Sequence, residues 1–390
     1  MQDKRERGGT QREKVDRVYG MRAIIGKEIV RWFQANRRDL PWRGIRDPYS
    51  VWVSEIMLQQ TRIETVLGYF PRFLQAFPTV EALAEAPLER VLKLWEGLGY
   101  YSRARNLHKG AQDVCKAGAF PKTSEEWKRI TGVGGYTAAA LASLCEGEAS
   151  PVVDGNVIRV VSRLRAKEDS RVPAAIRPEL EKWLMPAIEA SGSPGDFNEG
   201  MMELGETICL PQNPKCEACP LRLFCKGLEK GSPERFPGKR VRKALPERWF
   251  AAFVIRKHDE AGRVLLAKRA EKGLLGGLWE LPMVPIRAGG TMGDSAWKRA
   301  RNQFGIEADG KNRICRIGEL VHIFTHFRQI LHVFEVTGDA IHPRGECLRY
   351  EEPGNVAIAT ASRRALALGA ANTCVKRGRE SGIKALPKGR

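Results

Sequence analysis

The stretch ITGVGGYTAAALASL, Ile130 to Leu144, sets glycines on both sides of a valine, then a tyrosine, then a run rich in alanine and leucine. Such a run favours helix, and the glycines before it mark a turn. Just upstream, Thr123 and Glu126 in TSEEWKRI form a capping box that opens a short helix predicted to end at Gly132. The stretch therefore reads as helix, tight turn, helix. A glycine turn lets backbone come close to a ligand, and the start of the second helix points unpaired N–H groups outward. That makes Gly132 and Gly134 a candidate phosphate site, although an ordinary corner between two helices has the same local pattern.

Working outward, the first half of the chain is predominantly helical. IIGKEIVRWF repeats apolar residues at spacings of three and four, VEALAEA follows a Thr79 cap, and PLERVLKLWEGLG starts on proline and stops at glycines. Downstream, VVDGNVIRVVSRL places Asp154 before Gly155, where a helix cap belongs. In DLPWRGIRDPYSVWVSEIMLQQT, Glu55 falls in a largely apolar helix. An unpaired carboxylate there is costly and its pKa is expected to rise, unless an arginine pairs with it.

At 390 residues the chain is long enough for two domains with separate cores. Lys and Arg total 65 against 46 Asp and Glu, a formal charge of +19 that favours a polyanionic partner such as nucleic acid. The opening MQDKRERGGTQREKVDR lacks the apolar core of a signal peptide and reads as a disordered basic arm over residues 1–21. No window approaches eighteen consecutive apolar residues, so the expectation is a cytoplasmic, nucleoid-associated monomer with no membrane partner.

Four of the nine cysteines cluster in CLPQNPKCEACPLRLFC, where Cys209, Cys216, Cys219 and Cys225 are separated by six, two and five residues. Four soft thiolates in one loop suit zinc or a [4Fe-4S] cluster, and the presence of one Cys-x-x-Cys pair instead of two favours the cluster. Lys215, Arg222 and Lys226 interleave the ligands, so the loop can also face phosphate.

Beyond Cys225 the composition shifts. KGLEKGSPERFPGKRVRKALP reads as a basic linker over residues 227–247. RWFAAFVIRK, RVLLAKRA and ELVHIFTHFRQILHVFEV then look strand-like around a helical DSAWKRARNQFG, an α/β pattern, and residues 376–390 form a basic tail.

Taken in order, SEIMLQQT, GLGYYSRARNL, GVGGYTAAALASL, VDGNVIRV and the four-cysteine loop resemble MutY-type adenine DNA glycosylases, members of the helix-hairpin-helix superfamily that also contains endonuclease III. The resemblance implies a multidomain chain: an all-α helix-hairpin-helix glycosylase domain with a [4Fe-4S] loop over residues 22–226, then an α/β Nudix-like domain over 248–375. It implies double-stranded DNA with adenine opposite 8-oxoguanine or guanine as the partner, the adenine being flipped into a cleft.

Breaking the N-glycosidic bond calls for an acid on the base and an anion beneath the sugar. By resemblance Glu55 supplies the proton, Asp154 supports the sugar cation, and Asn156 positions Asp154. Bifunctional relatives carry a Schiff-base lysine where this chain has Tyr136, which implies a monofunctional enzyme whose phenol bonds to the aspartate or the sugar. Arg43 and Glu199 match adenine contacts, although Asp196 and Glu199 also fit a capping box. Gln60 and Tyr100 match residues that wedge into the duplex, with core packing the rival for Tyr100.

GLLGGLWELPMV resembles Nudix-type domains, yet Arg299, Asn302 and Gln303 stand where magnesium-binding glutamates are expected. Phe324, Thr325 and His326 match a loop that reads 8-oxoguanine, unless Phe324 is simply a core position of a strand. Two other readings are an endonuclease III-like pyrimidine glycosylase/lyase, disfavoured by Tyr136 and the added domain, and a non-catalytic DNA-binding protein, disfavoured by Glu55 and Asp154.

Overall fold

The computed structural model describes residues 11–238, 244–256, 262–290, 292–305, 313–337 and 348–371. The first ten residues, the linker segment 239–243 and the basic tail lie outside the described residues. The chain packs as two units, one from residues up to Glu85 together with Asn106–Arg242, the other from Ala86–Arg105 together with the chain from Lys243 onward. Residues 86–105 thus group away from the helices that flank them in sequence. No helix among the described residues is long and apolar enough to cross a membrane.

The first unit is helical. Its first helix spans Gln11–Asn36, so the arm expected to be disordered to residue 21 is helical from Gln11. The reason is local: QREKVDRVY has no proline or glycine and is rich in good helix formers, and the helix begun inside simply continues. Ile25 and Ile29 of this helix meet Val157 and Val161 of helix Gly155–Arg165 and Phe197 and Leu204 of helix Pro194–Thr207 in one core. Trp52 of helix Pro48–Leu58 packs edge-on against Trp127 at 5.6 Å, tying that helix to the capped turn Ser124–Trp127 before the glycines. The predicted capping box is present, with Thr123 accepting from the Glu126 N–H and Glu126 accepting from the Thr123 N–H.

The linker expected from residue 227 is folded as far as Gly238, with a short helix Lys226–Glu229 and a 3-10 turn Pro233–Arg235. Buried Phe236 anchors it, and its carbonyl accepts from Arg163 Nε at 3.2 Å. One aromatic among many charges is enough to dock a segment whose composition reads as solvated tether.

The second unit carries two sheets. Strands β1 (Glu247–Ile255), β2 (Val264–Lys268), β3 (Trp279–Glu280), β4 (Met283–Pro285), β5 (Arg313–Ile323), β6 (Arg328–Thr337) and β7 (Leu348–Glu351) assemble in the orders β4-β1-β6-β5 and β3-β2-β7. Only the β1–β6 pair is parallel among these ladders. Ala252, Val254 and Leu331 face one core, whereas Ala251, Phe253 and Val336 face another. Burial on both faces explains why β1 reads as a nearly continuous apolar run.

ELVHIFTHFRQILHVFEV is two strands and not one: Ile323 pairs with Arg328, and the Phe324 N–H donates to the Phe327 carbonyl at 2.9 Å across the turn between them. DSAWKRARNQF forms helix Asp294–Phe304, as its pattern predicts. There Arg299 donates to the Pro285 carbonyl at 2.7 Å, a packing role in place of a metal ligand.

Candidate active site

Helix Pro48–Leu58 starts where Asp47 accepts from the Ser50 N–H at 2.9 Å and Pro48 takes the first turn. Almost all of its residues are buried, Val51, Trp52, Val53, Ile56 and Met57 among them. Glu55 is only 8% exposed, and no cation pairs with it among the described residues. Burial, followed by the negative charges of Glu199 and Asp154, pushes its carboxyl up to about 8. The arginine partner that a buried glutamate usually finds is absent. Glu55 instead lines a cavity of about 830 Å³ with Tyr136, Asp154, Asn156 and Glu199.

Asp154 caps helix Gly155–Arg165, accepting from the Val157 N–H at 2.7 Å and from Asn156 Nδ2 at 3.0 Å. Its pKa is raised, mainly by burial, against the opposing pull of the Val157 N–H. The cap and the cavity position are therefore the same feature, because the helix start aims the carboxylate into the pocket. Asn156 Oδ1 accepts from Arg159 Nη2 at 2.9 Å, and Arg159 continues to the carbonyls of Gly205, at 2.7 Å, and Cys209, at 2.8 Å. Gly205 is required here: a Cβ would sit 2.5 Å from that of Asn156.

The glycine turn falls where predicted, although the short helix before it ends at Trp127 and not at Gly132. Gly132 holds φ of +82°, where a Cβ would also run into Asn106, and helix Gly135–Cys145 starts at Gly134 with no side-chain cap. Gly132, Gly134 and Gly135 are exposed while Val133 is buried, leaving the first N–H groups of the helix open to a phosphate. Tyr136 turns inward. Its phenol donates to Met202 Sδ at 3.3 Å, with Asp154 and the sugar of a bound duplex the two partners expected of it, and burial raises its pKa well above the usual range. A thioether is a weak acceptor, which leaves the hydroxyl easily redirected.

Arg43 donates to Glu203 Oε2 at 2.6 Å and approaches Glu199 Oε1 at 3.4 Å. Burial raises the Glu199 pKa and Arg43 opposes that rise. The capping box that Asp196 and Glu199 fit in sequence does not form: Ser193 stands at the N-cap without a side-chain bond, and Asp196 accepts from Gln34 at 2.7 Å. Gln60 lines the same cavity, exposed and in the left-handed region at φ of +54°. In the second unit Tyr100 has φ of +47°, is 45% exposed and lies beneath the Arg103 guanidinium, so it is not a core residue.

Met202, Arg159, Glu203 and Arg38 escaped sequence reasoning. A signal was present for two of them: Arg159 follows Asn156 by three, and Glu199, Glu203 and Glu206 share one helix face at spacings of four and three.

Cys209, Cys216, Cys219 and Cys225 line one small cavity. Burial pushes the Cys219 thiol up to about 12 and also raises Cys216 and Cys225. Beside them Arg163 is buried and donates to Cys209 Sγ at 3.2 Å and to the carbonyls of Leu210 and Pro211. Among the described residues no carboxylate bonds to this buried guanidinium, which is answered by a thiol and carbonyls and so suits a loop whose thiols can carry negative charge. Among the described residues, no three His, Cys, Asp or Glu side chains close on a single ion.

In the second unit Phe324 stacks on Phe327 at 4.7 Å, and Arg248 covers the far ring at 4.3 Å. Thr325 and His326 are exposed at the tip of the turn. Phe324 is thus a turn residue, not a core position of a strand.

Residues 53–186 match the family described as HhH-GPD superfamily base excision DNA repair protein, and residues 251–368 match the NUDIX domain. Pocket, hairpin and matches together define a helix-hairpin-helix base-excision repair protein with an appended Nudix-type domain. The adenine DNA glycosylase of Rattus norvegicus is 33% identical over 395 residues, covering 87% of this chain and 76% of that protein. That of Arabidopsis thaliana is 37% identical over 357 residues, covering 78% and 56%. This chain belongs to the adenine DNA glycosylase family. Among solved structures, a thermostable thymine-DNA glycosylase aligns with a TM-score of 0.48 and 29% identity over 54% of this chain and 97% of its own.

Proposed function

We propose that this protein binds duplex DNA, takes an adenine mispaired with 8-oxoguanine or guanine into the cavity, and hydrolyses its N-glycosidic bond to leave an abasic site. The observation that carries the reading is Glu55, buried, without a cation and with a carboxyl near 8, on the same cavity as Asp154. At neutral pH Glu55 holds a proton that it can give to a purine ring nitrogen. The bond to the sugar then breaks with its electron pair leaving on the base. Asp154, fixed by Val157 and Asn156, supports the sugar cation until water adds to C1′ and loses a proton. Tyr136 has no amine with which to form a Schiff base.

Duplex carrying adenine opposite 8-oxoguanine is expected to release free adenine, to break only after hot alkali, and to give little covalent complex with borohydride. Breakage without alkali together with efficient trapping would overturn the reading in favour of a glycosylase/lyase.

The four cysteines would hold a [4Fe-4S] cluster, a group that orders a loop and can carry one electron. Four thiols on one small cavity, with one Cys-x-x-Cys pair instead of two, support a cluster over a single zinc. Protein purified without oxygen is expected to be yellow-brown with about four irons per chain. A colourless protein with one zinc would remove the assignment.

The tip at Phe324, Thr325 and His326 supplies a stacked ring, a hydroxyl and an imidazole, the groups needed to read the edge of an oxidised guanine. Thr325→Ala with His326→Ala is expected to narrow the affinity ratio between 8-oxoguanine:adenine and guanine:adenine duplexes by about 1–3 kcal/mol. A lowered melting temperature with the ratio preserved would leave the tip a purely structural turn.

A further inference from the structure

The pocket contains a carboxylate that the proposed chemistry does not use. Glu203 is 2% exposed and accepts three hydrogen bonds, from Arg38 Nε at 2.6 Å, Arg38 Nη2 at 2.8 Å and Arg43 Nη2 at 2.6 Å. Burial alone would raise its pKa, yet the bonds from Arg38 and Arg43 outweigh it and the net shift is downward. Glu203 is therefore a fixed anion between two arginines.

The consequence falls on Arg43. Its guanidinium lies over the Phe33 ring at 5.0 Å, and its Nη1 donates to the Arg38 carbonyl at 3.2 Å. Among the described residues its Nε makes no hydrogen bond, and it meets Glu199 Oε1 only as an ion pair at 3.4 Å. A buried donor left open beside a polar cavity is costly unless a ligand completes it. Arg43 is thus held from one side by Glu203, Phe33 and the chain at Arg38, and is incompletely satisfied on the side shared with Glu199. Arginine carries four rotatable bonds before its planar head, so an unanchored Arg43 would swing toward the other carboxylates of the pocket.

We propose that Glu203 is a positioning residue for base recognition: it locks Arg43 in the orientation that, with Glu199, presents open hydrogen-bonding groups to the edge of a flipped purine, and it keeps the charge of Arg43 paired. The inference rests on the reading of the cavity as a purine pocket.

The test is a double-mutant cycle in single-turnover excision of adenine opposite 8-oxoguanine, using Glu203→Gln, Glu203→Asp, Arg43→Ala and the pair Glu203→Gln/Arg43→Ala in the full chain. In parallel, each protein is titrated with a duplex carrying a reduced abasic site opposite 8-oxoguanine, which has no base for Arg43 to hold. Glu203→Gln is expected to slow excision by about tenfold or more while abasic-duplex affinity stays within about twofold. In the Arg43→Ala background the same change should cost less than about twofold, because its route of action is gone. Glu203→Asp, which keeps the charge, should recover most of the rate.

Losses that multiply in the double variant, or a matching fall in abasic-duplex binding, would overturn the proposal and make Glu203 a general support of the fold. If Glu203→Gln does not fold, the cycle is run with Arg38→Gln, which loosens Glu203 by removing two of its three hydrogen bonds, and Arg43→Ala, and gives the same decision. Wild-type protein that releases no adenine at all would instead sink the functional reading on which the cycle stands.

Discussion

Glu55→Gln is expected to reduce single-turnover adenine release by at least about 10²-fold, the lower end for loss of a general acid, while mismatch binding stays nearly intact. Glutamine matches glutamate in shape and keeps hydrogen-bonding atoms, but it has no acidic proton to give. The wild-type rate should in turn decline as pH rises through about 8, where the Glu55 carboxyl loses its proton. Stability moves the opposite way in the variant. The folded pKa of Glu55 lies above its unfolded value, so its contribution is fully present below about 4.5 and is lost as pH rises to about 8. Glu55→Gln removes that penalty and should raise the stability progressively between these limits, by on the order of a few kcal/mol at the alkaline end, read as a rising melting temperature. An active, unstabilised Glu55→Gln protein would take Glu55 out of the mechanism and dispute its burial at once.

Asp154→Asn is expected to slow excision by about 10²- to 10³-fold, in the range seen when one electrostatic support of a transition state is removed. Asparagine is as good an N-cap as aspartate, so helix Gly155–Arg165 should keep its start and the melting temperature should barely change. That separates the two roles of the residue. If Asp154 were only a cap, Asn would be nearly silent in activity; Asp154→Ala, which loses both functions, should cost about 1 kcal/mol of stability as well. Near-wild-type turnover in Asp154→Asn would confine Asp154 to capping.

Local chemistry explains what could be read ahead of the fold. The Thr123 and Glu126 box, the Gly132 to Gly135 turn, the Asp154 cap and the cysteine loop all depend on residues within a few positions of each other. Their geometry follows from backbone sterics and helix ends, which any reader of the chain can apply. Failures had an equally physical source. Residues 11–21 read as part of a disordered arm and the segment from 227 as a linker, yet a helix reached back to Gln11 in the first and one buried Phe236 docked the second as far as Gly238. ELVHIFTHFRQILHVFEV looked strand-like along its length, but the chain reverses at Phe324, where the family loop was expected.

The active-site readings divide along the same line. That Glu55 is a carboxylate in an apolar helix and that four thiols share a loop are matters of residue type and spacing, and that Tyr136 stands where some relatives carry an amine follows from the resemblance, all before any packing is known. Whether Glu55 has an arginine beside it, where the Tyr136 hydroxyl goes, and which anion holds Arg43 belong to tertiary structure. Arg43 and Glu203 lie 160 residues apart, and Tyr136 and Met202 lie 66 apart. A pKa or an ion pair is set by whatever charge and solvent surround a group within a few ångströms, and only the folded chain brings residues so distant in sequence into that range.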